Sequence, residues 1–169
     1  MNININIKPA LAEDWVIINQ IAHKTWPLTY GDVIPQPQLW YMLNLFYSEE
    51  SLRNLINEKK QQCFIALNES GPVGFISVEE HFNQQDQMMI RKLYLLPEHQ
   101  GKGYGKTLLE FITSQAIRTN HGLLRLKVFF KNQNAIRFYE HFGFSVQGDE
   151  LMKIGREYSI LDYIMTKRI

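Results

Sequence analysis

A mixed α/β fold is what this sequence predicts, and three observations predict it. Strand-like stretches such as Cys63-Phe64-Ile65-Ala66-Leu67 and Leu123 to Phe129 are interleaved with helix-like ones such as Leu108, Leu109, Ile112 and Ala116, spaced by three and four. A strand-like run, Leu93-Tyr94-Leu95-Leu96, breaks into a glycine-rich basic turn that opens the helix carrying that last stripe. Turn signals such as Glu69-Ser70-Gly71-Pro72 separate neighbouring strand-like stretches.

Taken in order, Met1 to Ile7 alternates apolar and polar residues, which predicts a half-buried strand over 2–7 and lacks the apolar core of a signal peptide. Helices are expected from about Ala12 to Thr25, Pro37 to Tyr47 and Glu49 to Lys59. Strands follow near 62–68, 72–80 and 87–96, then a helix from Tyr104 and a strand over Leu123 to Phe129. A helix beginning at Asn132 precedes closing strands near 144–148 and 157–167.

With 169 residues the chain has about one domain's length and can bury roughly two thirds of its unfolded surface without staples. Hydrophobic content of 45% and charged content of 21% are ordinary globular values, and no repeat or linker interrupts them, so one domain over 1–169 is expected. No apolar run approaches the ~20 residues of a membrane span, so no membrane partner is expected. The single cysteine, Cys63, cannot form an internal disulfide and reads as a small buried residue, in keeping with a reducing cytoplasm.

A net charge of +1 argues against a general nucleic-acid binder. The charges are nevertheless divided: residues 1–86 hold 5 Lys/Arg and 10 Asp/Glu, a balance of −5, and residues 87–169 hold 13 and 7, a balance of +6. A polyanionic ligand in the basic half and a cationic one beside the acidic half would suit this division, as would scattered surface charge.

The chemistry concentrates in Gln100-Gly101-Lys102-Gly103-Tyr104-Gly105-Lys106. Glycines let consecutive N–H groups point into one concavity, the helix N-terminus adds unpaired N–H groups and a positive dipole end, and Lys102 and Lys106 add charge. A pyrophosphate would sit there. The dinucleotide fingerprint G-x-G-x-x-G does not fit, because these glycines fall at every second residue. The P-loop fails by one position: Gly105-Lys106-Thr107 supplies its end, but Gln100 stands where its first glycine belongs.

What the letters fit is Q-x-x-G-x-G, through Gln100, Gly103 and Gly105, and a second segment agrees with it: Asn132 to Phe144 matches N-x-x-A-x-x-F-Y-x-x-x-G-F. Both resemble the GCN5-related N-acetyltransferases, the GNAT family, whose fold is a mixed, mostly antiparallel sheet flanked by helices. The resemblance covers nearly the whole chain in element order. It implies an acetyl-CoA-dependent N-acetyltransferase, with no metal. Its pyrophosphate would lie on the N–H groups of Gln100 to Lys106, its pantetheine arm against the backbone of Leu93, Tyr94 and Leu95, and Asn132 would add a side-chain hydrogen bond.

Read from the residues, Ala135, Phe138, Tyr139 and Phe142 form a helical stripe that Asn132 or Asn134 can cap and Gly143 can end. Tyr139 is either a core residue or, as the resemblance implies, the acid that protonates departing CoA; its hydroxyl wants a partner in either case. The family's usual glutamate base falls here on Met89, which leaves Glu79, Glu80 and His81 as base candidates or as solvated strand-end groups. Deprotonating an alkyl ammonium at neutral pH costs roughly 4 kcal/mol, so a base or a water chain is expected.

Within the family, His23 to Tyr30, Leu39 to Leu43 and Asp162 to Lys167 are similar to bacterial polyamine acetyltransferases of the PaiA type. That resemblance implies a small amine such as a polyamine as acceptor, with Trp26 and Tyr30 as acceptor contacts or, read blandly, as core aromatics. Monomer and homodimer remain open. A protein N-terminus or lysine as acceptor, a CoA-binding sensor without turnover, and a nucleotide-hydrolysing P-loop protein are the other readings.

Overall fold

The computed structural model describes residues 4–58, 61–84 and 86–169. Its strands are β1 (Asn6–Pro9), β2 (Gln62–Asn68), β3 (Gly71–Glu79), β4 (Gln87–Leu95), β5 (Leu123–Phe129), β6 (Ser145–Gly155) and β7 (Tyr158–Arg168). Its helices are α1 (Trp15–Tyr30), α2 (Gln36–Tyr47), α3 (Glu49–Asn57), α4 (Tyr104–Arg118) and α5 (Gln133–His141). The strands form one seven-stranded sheet in the order β1-β2-β3-β4-β5-β7-β6, antiparallel everywhere except between β4 and β5.

Each face of the sheet carries a core. On one, Leu108, Leu109, Ile112 and Ala116 of α4, all fully buried, pack with Ile136 and Tyr139 of α5 against Val73, Ile76, Leu124 and Leu126. On the other, Ile18, Ala22 and Trp26 of α1 and Leu39, Leu43 and Tyr47 of α2 cover Ile65 and Phe75. Each fully buried aliphatic side chain in these layers contributes roughly 1.5–3 kcal/mol relative to exposure. Gly105 lets α4 lie close to α5, since a Cβ there would stand 3.1 Å from Phe138 Cζ.

The local feature that shapes the site lies in β4. Ser77 pairs with Lys92 but the next residue, Val78, pairs with Ile90, so Arg91 is an extra residue in the strand. Such a bulge switches side-chain parity. Met88 and Ile90 join the α4 core before it, Leu93 and Leu95 do so after it, and Tyr94 turns to the opposite core. The pairing of β4 with β5 ends at Ile90 opposite Leu126, although both strands run on. A wedge opens between them, beside the turn that leads into α4.

Several boundaries differ from the sequence expectation. Residues 2 and 3 of the strand expected over 2–7 lie outside the described residues; the strand found begins at Asn6 and runs on to Pro9. Helix α1 starts at Trp15, after a 3-10 turn over Ala12–Asp14, and passes Thr25 to reach Tyr30. Pro27 gives up one backbone donor, but Trp26 and Tyr30 pack into the α1–α2 core and hold the last turn. The closing hairpin is longer than expected because β6 contains a bulge between Val146 and Gly148 and is exposed along most of its length, so it carries no alternation to read. Its turn at Arg156 and Glu157 has positive φ at both residues, the conformation of a tight two-residue hairpin.

Asn132 caps α5, with the Ala135 N–H donating to its Oδ1 at 3.2 Å. Asn132→Ala is expected to cost about 1 kcal/mol of stability, read as a lower denaturation midpoint at unchanged slope. An unchanged midpoint would mean that water replaces the cap.

Candidate active site

A cavity of about 1040 Å³ occupies the wedge. Its walls come from α1 and α2 (Trp26, Tyr30, Tyr47), from β4 and β5 (Met89, Lys92, Tyr94, Phe129), from the glycine-rich turn, from α5 (Ala135, Phe138, Tyr139) and from β7 (Asp162). It therefore brings the two sequence motifs together with the early helices.

At the turn, Gly101 and Gly103 have φ of 71° and 88°, the left-handed region that a side chain disfavours. Gly103 is the N-cap of α4, and the Thr107 N–H is the first to bond back, to Gly103 O at 3.1 Å. The N–H groups of Gly101 through Lys106 thus find no acceptor among the described residues, and they cluster at the positive end of the α4 dipole. This donor set fits a pyrophosphate. Gln100 departs from the expectation: its N–H bonds to Pro97 O and its Nε2 to Leu95 O at 3.1 Å, so it braces the turn. The Tyr104 and Lys102 side chains lie off the cavity, with Tyr104 Oη accepting from Asn68 Nδ2 at 3.2 Å.

Past Ile90, Leu93, Tyr94 and Leu95 pair only with β3, which leaves their β5-facing edge open to an extended ligand. Tyr139 is 8% exposed, packs on Phe144 and lines the cavity, and its hydroxyl bonds to no described residue. Burial, with the nearby Tyr30 hydroxyl second, holds its pKa above the usual phenol range, so it stays protonated at neutral pH. The Tyr30 and Tyr94 hydroxyls stand 3.2 Å apart. Trp26, packed edge-on against Tyr30 with ring centroids 5.0 Å apart, is both core and cavity wall.

The expected base candidates lie elsewhere. Glu79 accepts from Arg91 Nε at 2.8 Å, Glu80 accepts from Gln62 Nε2 at 2.7 Å, and the His81 ring stacks on His121; none lines the cavity. Glu80, His81 and His121 bring one ligand atom each within 4.8 Å of the others, but His121 Nε2 already accepts from the His81 N–H. Met89 is buried in the cavity wall. Burial pushes the Cys63 thiol up to about 11, so it remains a protonated core residue.

Two charged groups escaped the sequence reading. Lys92 sits over the Tyr47 ring at 5.7 Å, pairs with no carboxylate among the described residues, and has its pKa lowered, chiefly by burial. Asp162 stands opposite Phe129 and Glu150 in the β5–β7–β6 ladder, and burial raises it to about 6 against the opposing pull of Lys127. Among the described residues that line the cavity it alone bears a carboxylate. Besides its place at the head of the PaiA-like stretch Asp162 to Lys167, the available signal was an acid inside the apolar run Ile160-Leu161-Asp162-Tyr163-Ile164.

Because Asp162 titrates higher in the folded chain than the ordinary value near 3.9, the folded state binds more protons between about pH 4 and pH 6, and stability falls as pH rises through that window. Asp162→Asn removes the buried charge. Its melting temperature at pH 7 is expected to exceed the parent's, with the advantage gone by about pH 4; a variant that melts lower at pH 7 would mean that the carboxylate is stabilised where it sits.

Residues 59–146 match the acetyltransferase (GNAT) domain, just over half the chain. A spermidine N(1)-acetyltransferase of Thermoplasma acidophilum is 28% identical over 150 residues, covering 85% of this chain and 90% of that protein. The crystal structure of a PaiA N-acetyltransferase from Thermoplasma acidophilum in complex with coenzyme A superposes with a TM-score of 0.83 at 26% identity, covering 99% of this chain and 100% of that one. A GCN5-related N-acetyltransferase structure from Rhodopseudomonas palustris gives the same TM-score at 20% identity over 99% and 97% of the two chains, a likeness of fold.

Proposed function

This chain belongs to the GNAT acetyltransferase family and is an N-acetyltransferase, and on that premise we propose that it transfers an acetyl group directly from acetyl-CoA to the primary amine of a small molecule, a polyamine being the leading acceptor. The observation that carries this reading is that one cavity is bordered by the glycine turn, whose N–H groups find no acceptor among the described residues, by the open edge of β4 and by Tyr139. We take the chain to act as one domain in the cytoplasm, as monomer or homodimer.

Acetyl-CoA, when bound, supplies the activated acetyl thioester. The N–H groups of Gly101 to Lys106 hold the pyrophosphate, with Lys106 adding charge from the first turn of α4. The backbone of Leu93 to Leu95 aligns the pantetheine arm, and the Asn132 side-chain N–H adds a hydrogen bond to it while Oδ1 caps α5. The Tyr139 hydroxyl donates to the sulfur as it leaves. Protein nucleophiles are not needed, since the buried Cys63 thiol stays protonated and lies outside the cavity wall.

For the acceptor, the 28% identical spermidine acetyltransferase and the acidic balance of residues 1–86 support a polyamine. Lys92, in the cavity wall and without a carboxylate partner among the described residues, favours a second reading, an amine whose carrier also bears an acidic group, such as an amino acid or a peptide N-terminus. A panel assay for CoA release separates them. Spermidine is expected to give a higher kcat/KM than a neutral arylamine or an amino acid; preference for the amino acid would select the second reading, and no turnover on any amine or peptide would leave a CoA-binding sensor.

Tyr139→Phe keeps the ring packing and removes the hydroxyl. If Tyr139 protonates the leaving sulfur, kcat is expected to drop roughly 10²-fold while acetyl-CoA affinity moves little and stability changes by about 1 kcal/mol at most. A kcat within about threefold of the parent would return Tyr139 to the core.

A further inference from the structure

We propose that Asp162 is the group that receives the acceptor: its carboxylate pairs with the incoming ammonium and takes a proton from it, a duty that the family's β4 glutamate position cannot serve here because it holds Met89. The inference deepens the amine acetyltransferase reading above and rests on it.

Four observations carry it. The cavity wall contains one carboxylate among the described residues, so a cationic acceptor has one place to leave its charge. Asp162 stands opposite Phe129 in the β5–β7 ladder, Phe129 packs edge-on against Tyr30 with ring centroids 6.0 Å apart, and the Tyr30 hydroxyl lies 3.2 Å from that of Tyr94 on β4, so the carboxylate borders the polar group of the cavity wall. The groups facing it leave it basic without neutralising it: Lys127 of β5 is engaged by Glu150 Oε2 of β6 at 2.8 Å, Glu150 lies directly opposite Asp162 in the ladder, and Tyr30 of α1 carries no charge at neutral pH. Lastly, burial keeps Asp162 more basic than an exposed aspartate, yet mostly ionised at pH 7.

The step balances without another reactant. One ammonium proton passes to the Asp162 oxygen and on to solvent. The freed nitrogen lone pair forms the C–N bond as the C–S bond of the thioester breaks, sulfur leaves with that bonding pair, and the second proton lost by nitrogen is matched by the one that sulfur gains. The net products are the amide, CoA thiol and one released proton.

The test compares parent, Asp162→Asn and Asp162→Glu, with spermidine and butylamine as acceptors. Calorimetric titration of spermidine into the CoA-saturated protein is expected to weaken at least tenfold in Asp162→Asn, while CoA affinity stays within twofold and so reports an intact fold. The kcat is expected to drop 10²-fold or more, and the acid limb of the parent's kcat/KM profile, with its midpoint near 6, to vanish; Asp162→Glu, which keeps the carboxylate, restores part of the rate and the limb. Spermidine binding and kcat within threefold of the parent in Asp162→Asn would overturn the role of Asp162 and leave the enzyme reading standing. A parent protein that neither binds nor acetylates either amine would overturn both the role of Asp162 and the small-amine acceptor on which it rests.

Discussion

The parting of β4 from β5 is the constraint on which the rest of the structure depends. Two parallel strands paired from Gln87 to Ile90 would, if pairing continued, close their ladder and fill the space between α1 and α5 with backbone. The extra residue at Arg91 prevents this by turning the strand and exchanging its faces. From that one residue follow the open edge at Leu93 to Leu95, the turn of Tyr94 toward Trp26 and Tyr47, and the placement of the α4 N-terminus at the mouth of the gap. A buried strand edge carries unsatisfied backbone groups, which are costly without a partner. The wedge is therefore a standing demand for an extended, hydrogen-bonding ligand, and the free N–H groups of the next turn meet the same ligand at its anionic end.

The glycine-turn and α5 side of the cavity was legible because its geometry is local. Gly101, Gly103 and Gly105 sit in one turn, and the cap Asn132, the stripe through Tyr139 and the terminating Gly143 sit in one helix, so each motif carries its own geometry in consecutive letters. The helix from Tyr104 and the strand from Leu123 to Phe129 emerged at their expected bounds for the same reason. What stayed hidden is non-local. Asp162 reaches the cavity only because β7 pairs with β5, a contact across more than thirty residues that no spacing encodes. The bulge at Arg91 leaves no mark in Met89-Ile90-Arg91-Lys92-Leu93, and the final turn of α1 depends on tertiary packing that overrides the cost of Pro27.

The electrostatics of the cavity are uneven. Its aromatic wall, Trp26, Tyr30, Tyr47 and Tyr94, lowers the local dielectric, which raises the pKa of each buried phenol and lowers that of Lys92. All of these shifts favour neutral forms, so the aromatic part of the wall offers protons from hydroxyls, while Arg91, Lys92, Lys106, Lys127 and Asp162 line the rest of the cavity. In such surroundings the one carboxylate among the described lining residues acts strongly on a nearby ammonium, because its field is poorly screened. The stability that Asp162 forgoes by remaining charged there is the expected signature of a residue kept for chemistry rather than for folding.

The division between shared and particular parts of the chain follows the division of labour in the cavity. The GNAT match runs over residues 59–146, and it contains the bulged strand, the glycine turn, Asn132 and Tyr139, the part of the cavity wall proposed to face the donor. Trp26, Tyr30 and Tyr47 precede it and Asp162 follows it. These four come from elements at both ends of the chain that meet only when the sheet closes over the wedge, with α1 and α2 on one side and the β6–β7 hairpin on the other. Handling one invariant thioester constrains a contiguous stretch of backbone. Choosing among amines asks for side chains that can change without disturbing that backbone, and the termini of the fold supply them: a substitution in α1 or β7 alters the far wall of the cavity while the β4 bulge and the α4 N-terminus stay where the donor needs them.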